Sequence, residues 1–170
     1  MTLHSIIEYI KYWWNAKSRH KIHSPFVYGF TEHVLRNKGI SRVAEYQFTG
    51  YHWLGKKNHR LLERLMKYFG YSSILVVPPE IDDESGHYDI VVLKNDVPRH
   101  WVRLFNKHLH LVHPGSIFLV HDIHKTNGHT LKWNRLKNHP RVKLSIDVYG
   151  AGLLFFNEDI KEKQAFIIRY

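Results

Sequence analysis

Three short apolar runs in the second half of the chain limit its fold more than any other feature. They occupy residues 73–77, 89–93 and 116–120, and each has the length and apolar content of a buried strand. Between the second and third runs, apolar residues from Trp101 to His108 recur at helical spacing, and Pro114 with Gly115 is expected to end this helix. Strands that alternate with helices predict a parallel sheet of the α/β class.

Three further strand-like runs follow a short predicted helix that carries Leu131 and Leu136. They occupy residues 142–148, 153–156 and 165–168, and no helical repeat separates them. Strands that follow one another directly can be joined by short connections only when they are antiparallel. We therefore predict a mixed sheet whose last three strands are antiparallel neighbours.

Residues 1–56 are predicted to form a basic helical extension, which leaves residues 57–170 as the α/β domain. Near the N-terminus, apolar residues recur at helical spacing at Leu3, Ile6, Ile7, Ile10, Trp13 and Trp14. We expect this apolar face to pack on the domain. A membrane-interface helix and a partner-binding helix are the alternatives.

Capping residues predict two further helices. The hydroxyl of Ser24 followed by Pro25 is typical of a helix start, and Gly39 is expected to end that helix. A third helix is expected to end at Gly70. His23 precedes Ser24, but no Gly-x-Ser-x-Gly turn presents a nucleophile, so we interpret Ser24 as a cap and assign no catalytic residue.

Composition excludes several classes of protein. A chain of 170 residues is long enough for one domain with a sizeable core. The absence of cysteine excludes a disulfide scaffold, a zinc finger, an iron–sulfur site and thiol catalysis. No apolar run approaches the roughly 18 residues of a membrane-spanning helix, and no secretory signal is visible. The expected location is therefore the cytoplasm.

Positive charge is concentrated in the first third of the chain. The net charge is +10, and residues 1–60 hold ten basic and three acidic residues, or +7. Such a field favours RNA, DNA, an acidic protein complex or an anionic membrane surface, although a solvated basic surface is the ordinary alternative. The candidate residues for contact with an anionic partner are Lys11, Lys17, Arg19, Lys21, Arg36, Lys38, Arg42, Lys56 and Lys57.

Several sequence blocks resemble a family of class I S-adenosylmethionine (SAM) dependent methyltransferase-like proteins common in Bacteroidetes. The first block is His23-Ser-Pro-Phe-Val-Tyr28. The others are His121–His124, Asn138–Arg141, Ser145–Tyr149, Gly152–Phe156 and Phe166–Tyr170. The resemblance implies a Rossmann-like sheet with an N-terminal helical extension, here in a truncated form.

The segment that binds SAM in such folds is missing from this sequence. A glycine-rich turn after the first strand and an acid at the end of the second hold the cofactor. Here Pro78 and Pro79 follow the first strand, and no glycine comes before Gly86. Only residues 78–88 separate the first two runs, whereas one βαβ unit takes about 30 residues. We therefore expect no SAM pocket and no other cofactor, and the question of enzymatic activity stays open.

The segment from His121 to His124 is the remaining candidate site, because it follows the third predicted strand at its carboxyl end. In an extended segment Asp122 and His124 share a face and could bind a transition metal, while His121 points away. The ordinary alternative is that Asp122 caps the next turn and His124 hydrogen-bonds to it, so no metal is assigned. Asp147 lies within a predicted strand and receives no chemical role.

Four acidic residues lie close together between the first two predicted strands. Glu80, Asp82, Asp83 and Glu84 are expected to form an exposed turn, with a hard-cation site as the alternative.

The sequence leaves three hypotheses about function open. The first hypothesis is a degenerate methyltransferase-fold protein that acts as a basic binding or adaptor subunit of a larger complex, which could contain nucleic acid. The second is an active SAM-dependent methyltransferase with a rebuilt or partner-completed pocket. The third is a peripheral subunit of a membrane complex, anchored by residues 3–16.

Overall fold

The six runs predicted as strands form one mixed sheet in the computed structural model. The structure describes residues 2–16, 24–36, 53–77, 86–94 and 98–170. The strands are β1 (Ile74–Val77), β2 (Tyr88–Leu93), β3 (Val112–His121), β4 (Leu144–Asp147), β5 (Ala151–Phe155) and β6 (Gln164–Ile167). Their order across the sheet is β1-β2-β3-β5-β4-β6. The predicted α/β class with a mixed sheet is confirmed.

Strand directions agree with the prediction except at the last strand. β1, β2 and β3 are parallel, and β5 is antiparallel to both of its neighbours, β3 and β4. The prediction is wrong for β6, which pairs with β4 in the parallel sense. Because β3 and β4 occupy both edges of β5, β6 cannot form a hairpin with β5. After β5 the chain returns instead to the free edge of β4, where β6 runs in the same direction as β4.

The described residues contain five α-helices. These are α1 (Leu3–Asn15), α2 (Pro25–Phe30), α3 (Gly55–Phe69), α4 (Trp101–His108) and α5 (Asn127–Lys137). Two predicted caps are confirmed, since the Ser24 hydroxyl accepts a hydrogen bond from the backbone N–H of Val27 and Gly70 ends α3 with φ of +69°. α2 continues as a π-helical turn at Thr31–Leu35. Gly39, predicted to end the second helix, lies outside the described residues.

The predicted end of α4 at Pro114 and Gly115 is wrong. A 3-10 turn at Leu109–Leu111 follows α4, and both residues belong to β3. The pairing of β3 with β2 is irregular at this point, because Val112 is opposite Tyr88 whereas Ile117 is opposite Ile90. An irregularity of this kind tolerates a proline, whose missing N–H would break a regular ladder.

Contacts divide the chain into two compact units. One contains residues 1–16 and 73–167, and the other contains residues 17–72 and 168–170. By contacts α1 therefore groups with the sheet. The predicted division between residues 56 and 57 stays a prediction, because compactness does not show which segment folds alone.

The sheet unit has an apolar core formed with α4 and α5. Trp101, Phe105 and Trp133 are fully buried in it. Gly152 of β5 lies directly against the Trp133 ring, because a Cβ atom added at this glycine would be 2.5 Å from two ring atoms. A close approach of this kind requires glycine.

The other unit is a small aromatic cluster of α2, the π-helical turn and α3. The rings of Phe26, Phe30 and Phe69 are stacked with centroids 6.3–6.5 Å apart. Arg64 of α3 donates to the backbone carbonyl oxygens of Val34 and Leu35, at 3.3 and 2.9 Å. These bonds satisfy carbonyl groups at the end of the π-helical turn that have no partner within it.

Candidate functional site

The orientation of α1 is the opposite of the one expected from its apolar residues. Ser5 and Tyr12 are buried, whereas Leu3 and Trp14 are 76% and 87% exposed. The same outward face carries five more exposed large side chains: Ile6, Ile7, Tyr9, Ile10 and Trp13. The expectation that the apolar face packs on the domain is therefore wrong for this helix.

A polar stripe holds α1 on the sheet unit. Ser5, Glu8 and Tyr12 are spaced by three and four residues, which places them on one face of a helix. The Tyr149 hydroxyl donates to the backbone carbonyl of Ser5 at 2.6 Å. His4 Nε2 lies 3.2 Å from Thr130 Oγ1. The helix thus turns its hydrogen-bonding groups inward because partners for them lie beneath it.

His124 is the centre of this polar contact. Its Nε2 lies 2.8 Å from Asp147 Oδ2, its Nδ1 lies 3.1 Å from Thr130 Oγ1, and both His124 and Asp147 are buried. Glu8 Oε2 of α1 lies 3.9 Å from His124 Nδ1. One assignment of protons satisfies the whole series: His4 donates to Thr130, Thr130 to His124, and His124 to the Asp147 carboxylate. Asp147 therefore has a definite partner, which the sequence did not identify.

The hydroxyl, imidazole and carboxylate of this series follow the order found in hydrolytic triads. In this chain, however, the Thr130 hydroxyl lies between His124 and His4 of α1, so two imidazoles already occupy its hydrogen bonds. We interpret the series as the attachment of α1. It is named the α1 anchor below and consists of His4, Ser5, Glu8, Thr130, His124, Asp147 and Tyr149.

Tyr149 completes the α1 anchor from a strained backbone position. Its φ is +66°, and its backbone N–H donates to Asp147 Oδ1 at 2.8 Å. The ring stacks on His124 and touches the edge of Tyr9, with centroid distances of 5.6 and 5.0 Å. Burial, together with the nearby Tyr9 and Glu8, raises the pKa of the Tyr149 phenol above its usual value. The phenol therefore keeps the proton that it donates to Ser5.

The predicted pairing of Asp122 with His124 is not found. Asp122 adopts a left-handed φ of +55°, and its backbone N–H donates to the carbonyl of Gly150. Its carboxylate lies 3.5 Å from His121 Nε2 and 3.8 Å from Lys125 Nζ, so His121 does not point away from it. The left-handed turn at Asp122 separates the side chains that an extended segment would have placed together. In the described part of the chain, no group of three or more His, Asp or Glu residues could hold a metal ion.

Four of the nine residues predicted to contact an anionic partner are described. Lys11 is exposed and pairs with Glu8 at 2.7 Å, and Arg36 pairs with Glu32 at 3.4 Å. Lys56 is exposed, and Lys57 donates to the Tyr170 carbonyl and lies 4.8 Å from the centre of its ring. The other five lie outside the described residues: Lys17, Arg19, Lys21, Lys38 and Arg42. The acidic turn at residues 80–84 also lies outside them.

Sequence reasoning missed the inward polar stripe of α1, although a signal for it was present. The spacing of Ser5, Glu8 and Tyr12 is as regular as that of the apolar residues. The partners of this stripe, Thr130, His124 and Tyr149, are more than 100 residues away in the sequence, and periodicity carries no information about them.

Comparison with known proteins finds no matching family model, no matching curated protein and no matching solved structure. The methyltransferase-like relationship therefore stays a prediction. Among the helices that the structure describes, none is long and apolar enough to cross a membrane.

Proposed function

We propose that this chain is a non-catalytic binding subunit that associates with the surface of an anionic membrane through the outward face of α1. The observation that carries the proposal is the outward apolar face of α1, with seven exposed large side chains on a helix of 13 residues. Helices that lie in a membrane interface combine aliphatic residues with Trp and Tyr at headgroup depth. The outward face contains all of these residue types.

Charge next to α1 favours an anionic surface. Lys17, Arg19 and Lys21 follow the helix in the sequence, whereas Lys11, on the helix itself, is exposed but paired with Glu8. Each basic residue near an anionic leaflet contributes about 1 kcal/mol of attraction. The basic N-terminal third thus supplies the electrostatic part of binding, and the outward face supplies the apolar part.

Nucleic acid explains less of this face than a membrane does. Proteins that bind single strands combine cations for phosphates with aromatic rings for bases. Trp13, Trp14 and Tyr9 fit that pattern, but Leu3, Ile6, Ile7 and Ile10 would have no partner on RNA or DNA. Aliphatic side chains bind the acyl region of a bilayer, so the mixed face supports the membrane hypothesis.

The strand pairing supports the absence of a SAM pocket. β1 and β2 are adjacent and parallel, and only residues 78–87 connect them. No described strand pairs with the other edge of β1, so within the described residues no reversal of strand order adjoins β1. The reversal point is where open α/β sheets bind nucleotide-like ligands. We propose a reduced methyltransferase-like domain without cofactor, located in the cytoplasm.

The experiment is flotation of the full chain with vesicles of phosphatidylcholine alone and of phosphatidylcholine with phosphatidylserine. We expect binding to the anionic vesicles that weakens with salt, because the basic residues are screened. A parallel titration with single-stranded RNA tests the adaptor hypothesis. Binding to RNA without binding to either vesicle would replace the membrane proposal with a nucleic-acid one.

Isothermal titration with SAM tests the cofactor part of the proposal. We expect no heat of binding at high micromolar SAM, because the sequence lacks the glycine turn and the ribose-binding acid. Saturable binding would favour the alternative of an active methyltransferase with a rebuilt pocket.

A further inference from the structure

A pocket of about 270 Å³ lies at the end of the sheet where β3 and β4 begin and β5 ends. The α1 anchor lies at the other end of the same sheet, where β3 and β4 finish. The pocket is lined by Pro114, Pro140, Arg141, Lys143, Phe156 and Glu158. It is therefore separate from the proposed membrane face and independent of it.

Two unpaired cations line this pocket. Within the described part of the chain, neither the Arg141 nor the Lys143 side chain forms an ion pair. Burial, followed by the charge of Lys143, lowers the pKa of Lys163, and the Lys163 Nζ donates to the carbonyl of His139 at 2.8 Å. Burial, followed by the charges of Lys163 and Arg141, lowers the pKa of His139. The positive charges of Lys143 and Lys163 therefore lie close enough to interact, and Lys143 and Arg141 are the two that line the pocket.

The backbone of Lys143 is held by the sheet, and that of Arg141 by a local turn. The N–H of Lys143 donates to the carbonyl of Phe155, and the carbonyl of Lys143 accepts from Gln164. The N–H of Arg141 donates to His139 Nδ1 at 3.2 Å. Fixed backbone positions mean that less entropy is lost when the two side chains close on a ligand.

Three of the lining residues are apolar. Phe156 is buried, and Pro114 and Pro140 are the other two. The volume lies just below the range of about 300–1,000 Å³ typical of drug-sized ligands, so the ligand is small. A small molecule with one anionic end and one apolar part matches both kinds of lining residue.

We propose that this pocket binds a small phosphomonoester, with the phosphate between Arg141 and Lys143 and the organic part on Phe156 and the two prolines. A phosphomonoester carries about −1.5 to −2 charges at neutral pH, which matches two cations better than a carboxylate does. The guanidinium of arginine also has the geometry to bind two phosphate oxygens at once. Glu158 is the single carboxylate among the lining residues and opposes this binding.

The test is an NMR titration of the full chain with phenyl phosphate, inorganic phosphate and phenol, in which the amide chemical shifts report binding. We expect saturable shifts at residues 141, 143 and 156, with phenyl phosphate binding more tightly than inorganic phosphate. Arg141→Ala and Lys143→Gln should each weaken binding by about tenfold to a hundredfold, the size of one lost hydrogen bond to a charged group. Arg135→Ala on α5 is the matched control, because this exposed arginine does not line the pocket.

Glu158→Gln gives a prediction of the opposite sign. Removal of this exposed carboxylate should tighten phenyl phosphate binding by about two- to fivefold, the size of one screened charge interaction near a surface. A gain cannot result from misfolding. The proposal fails if phenyl phosphate gives no saturable shift by about 10 mM, if phenol binds equally well, or if Arg135→Ala weakens binding as much as Arg141→Ala does.

Discussion

Replacement of two outward residues of α1 should weaken membrane binding strongly and leave the fold intact. Ile10 and Trp14 are 52% and 87% exposed. Full transfer of a large apolar side chain out of water contributes about 1.5–3 kcal/mol. Scaled by exposure, Ile10 contributes about 1 kcal/mol and Trp14 about 2 kcal/mol. The variant Ile10→Ser with Trp14→Ser should therefore bind anionic vesicles roughly a hundredfold more weakly.

Flotation measures the vesicle-bound fraction, and urea unfolding measures the free energy of unfolding of the same variant. Because both side chains face outward, we expect stability to change by no more than about 0.5 kcal/mol per site. Leu131→Ser on α5 is the matched control, since Leu131 is 55% exposed but lies on another helix. Equal loss of vesicle binding in the control, or loss of several kcal/mol of stability in the α1 variant, would refute the orientation argued for α1.

Two further predictions concern the sheet unit. Gly152→Ala should destabilise the chain by about 1–3 kcal/mol in urea unfolding, because the new Cβ would overlap the Trp133 ring. Gly29→Ala is the control: its Cβ would meet nothing nearer than 3.6 Å, so the free energy of unfolding should not fall. Asp147→Ala should cost about 1–3 kcal/mol, because it leaves buried His124 without its 2.8 Å partner. Asp159→Ala, at an exposed site, is the control for Asp147→Ala, and an equal effect of the two would contradict the role given to the α1 anchor.

Local chemistry made much of the fold predictable from the sequence. Ser24 with Pro25 and Gly70 mark helix ends through hydroxyl capping, a fixed φ and a left-handed φ, and none of these needs tertiary contacts. The six apolar runs predicted the strands for the same reason. Pro114 misled the prediction because a proline in an irregular stretch of a strand looks, in sequence, like a helix end.

The candidate site depended on contacts between distant residues and was largely unpredictable. Which stripe of α1 faces inward is decided by Tyr149, His124 and Thr130, far along the chain. The partner of His124 is Asp147 rather than Asp122, because a left-handed turn at Asp122 redirects the chain. The direction of β6 likewise followed from the occupied edges of β5.

Membrane insertion of α1 is measured most directly by quenching of intrinsic tryptophan fluorescence by brominated lipid in anionic vesicles. Trp14 is almost fully exposed, whereas Trp101 and Trp133 are buried in the core. If the outward face of α1 enters the bilayer, quenching should be strong in the unaltered chain and clearly reduced in Trp14→Phe. Absence of quenching, or quenching unchanged by Trp14→Phe, would contradict the claim that the outward face of α1 enters a membrane surface.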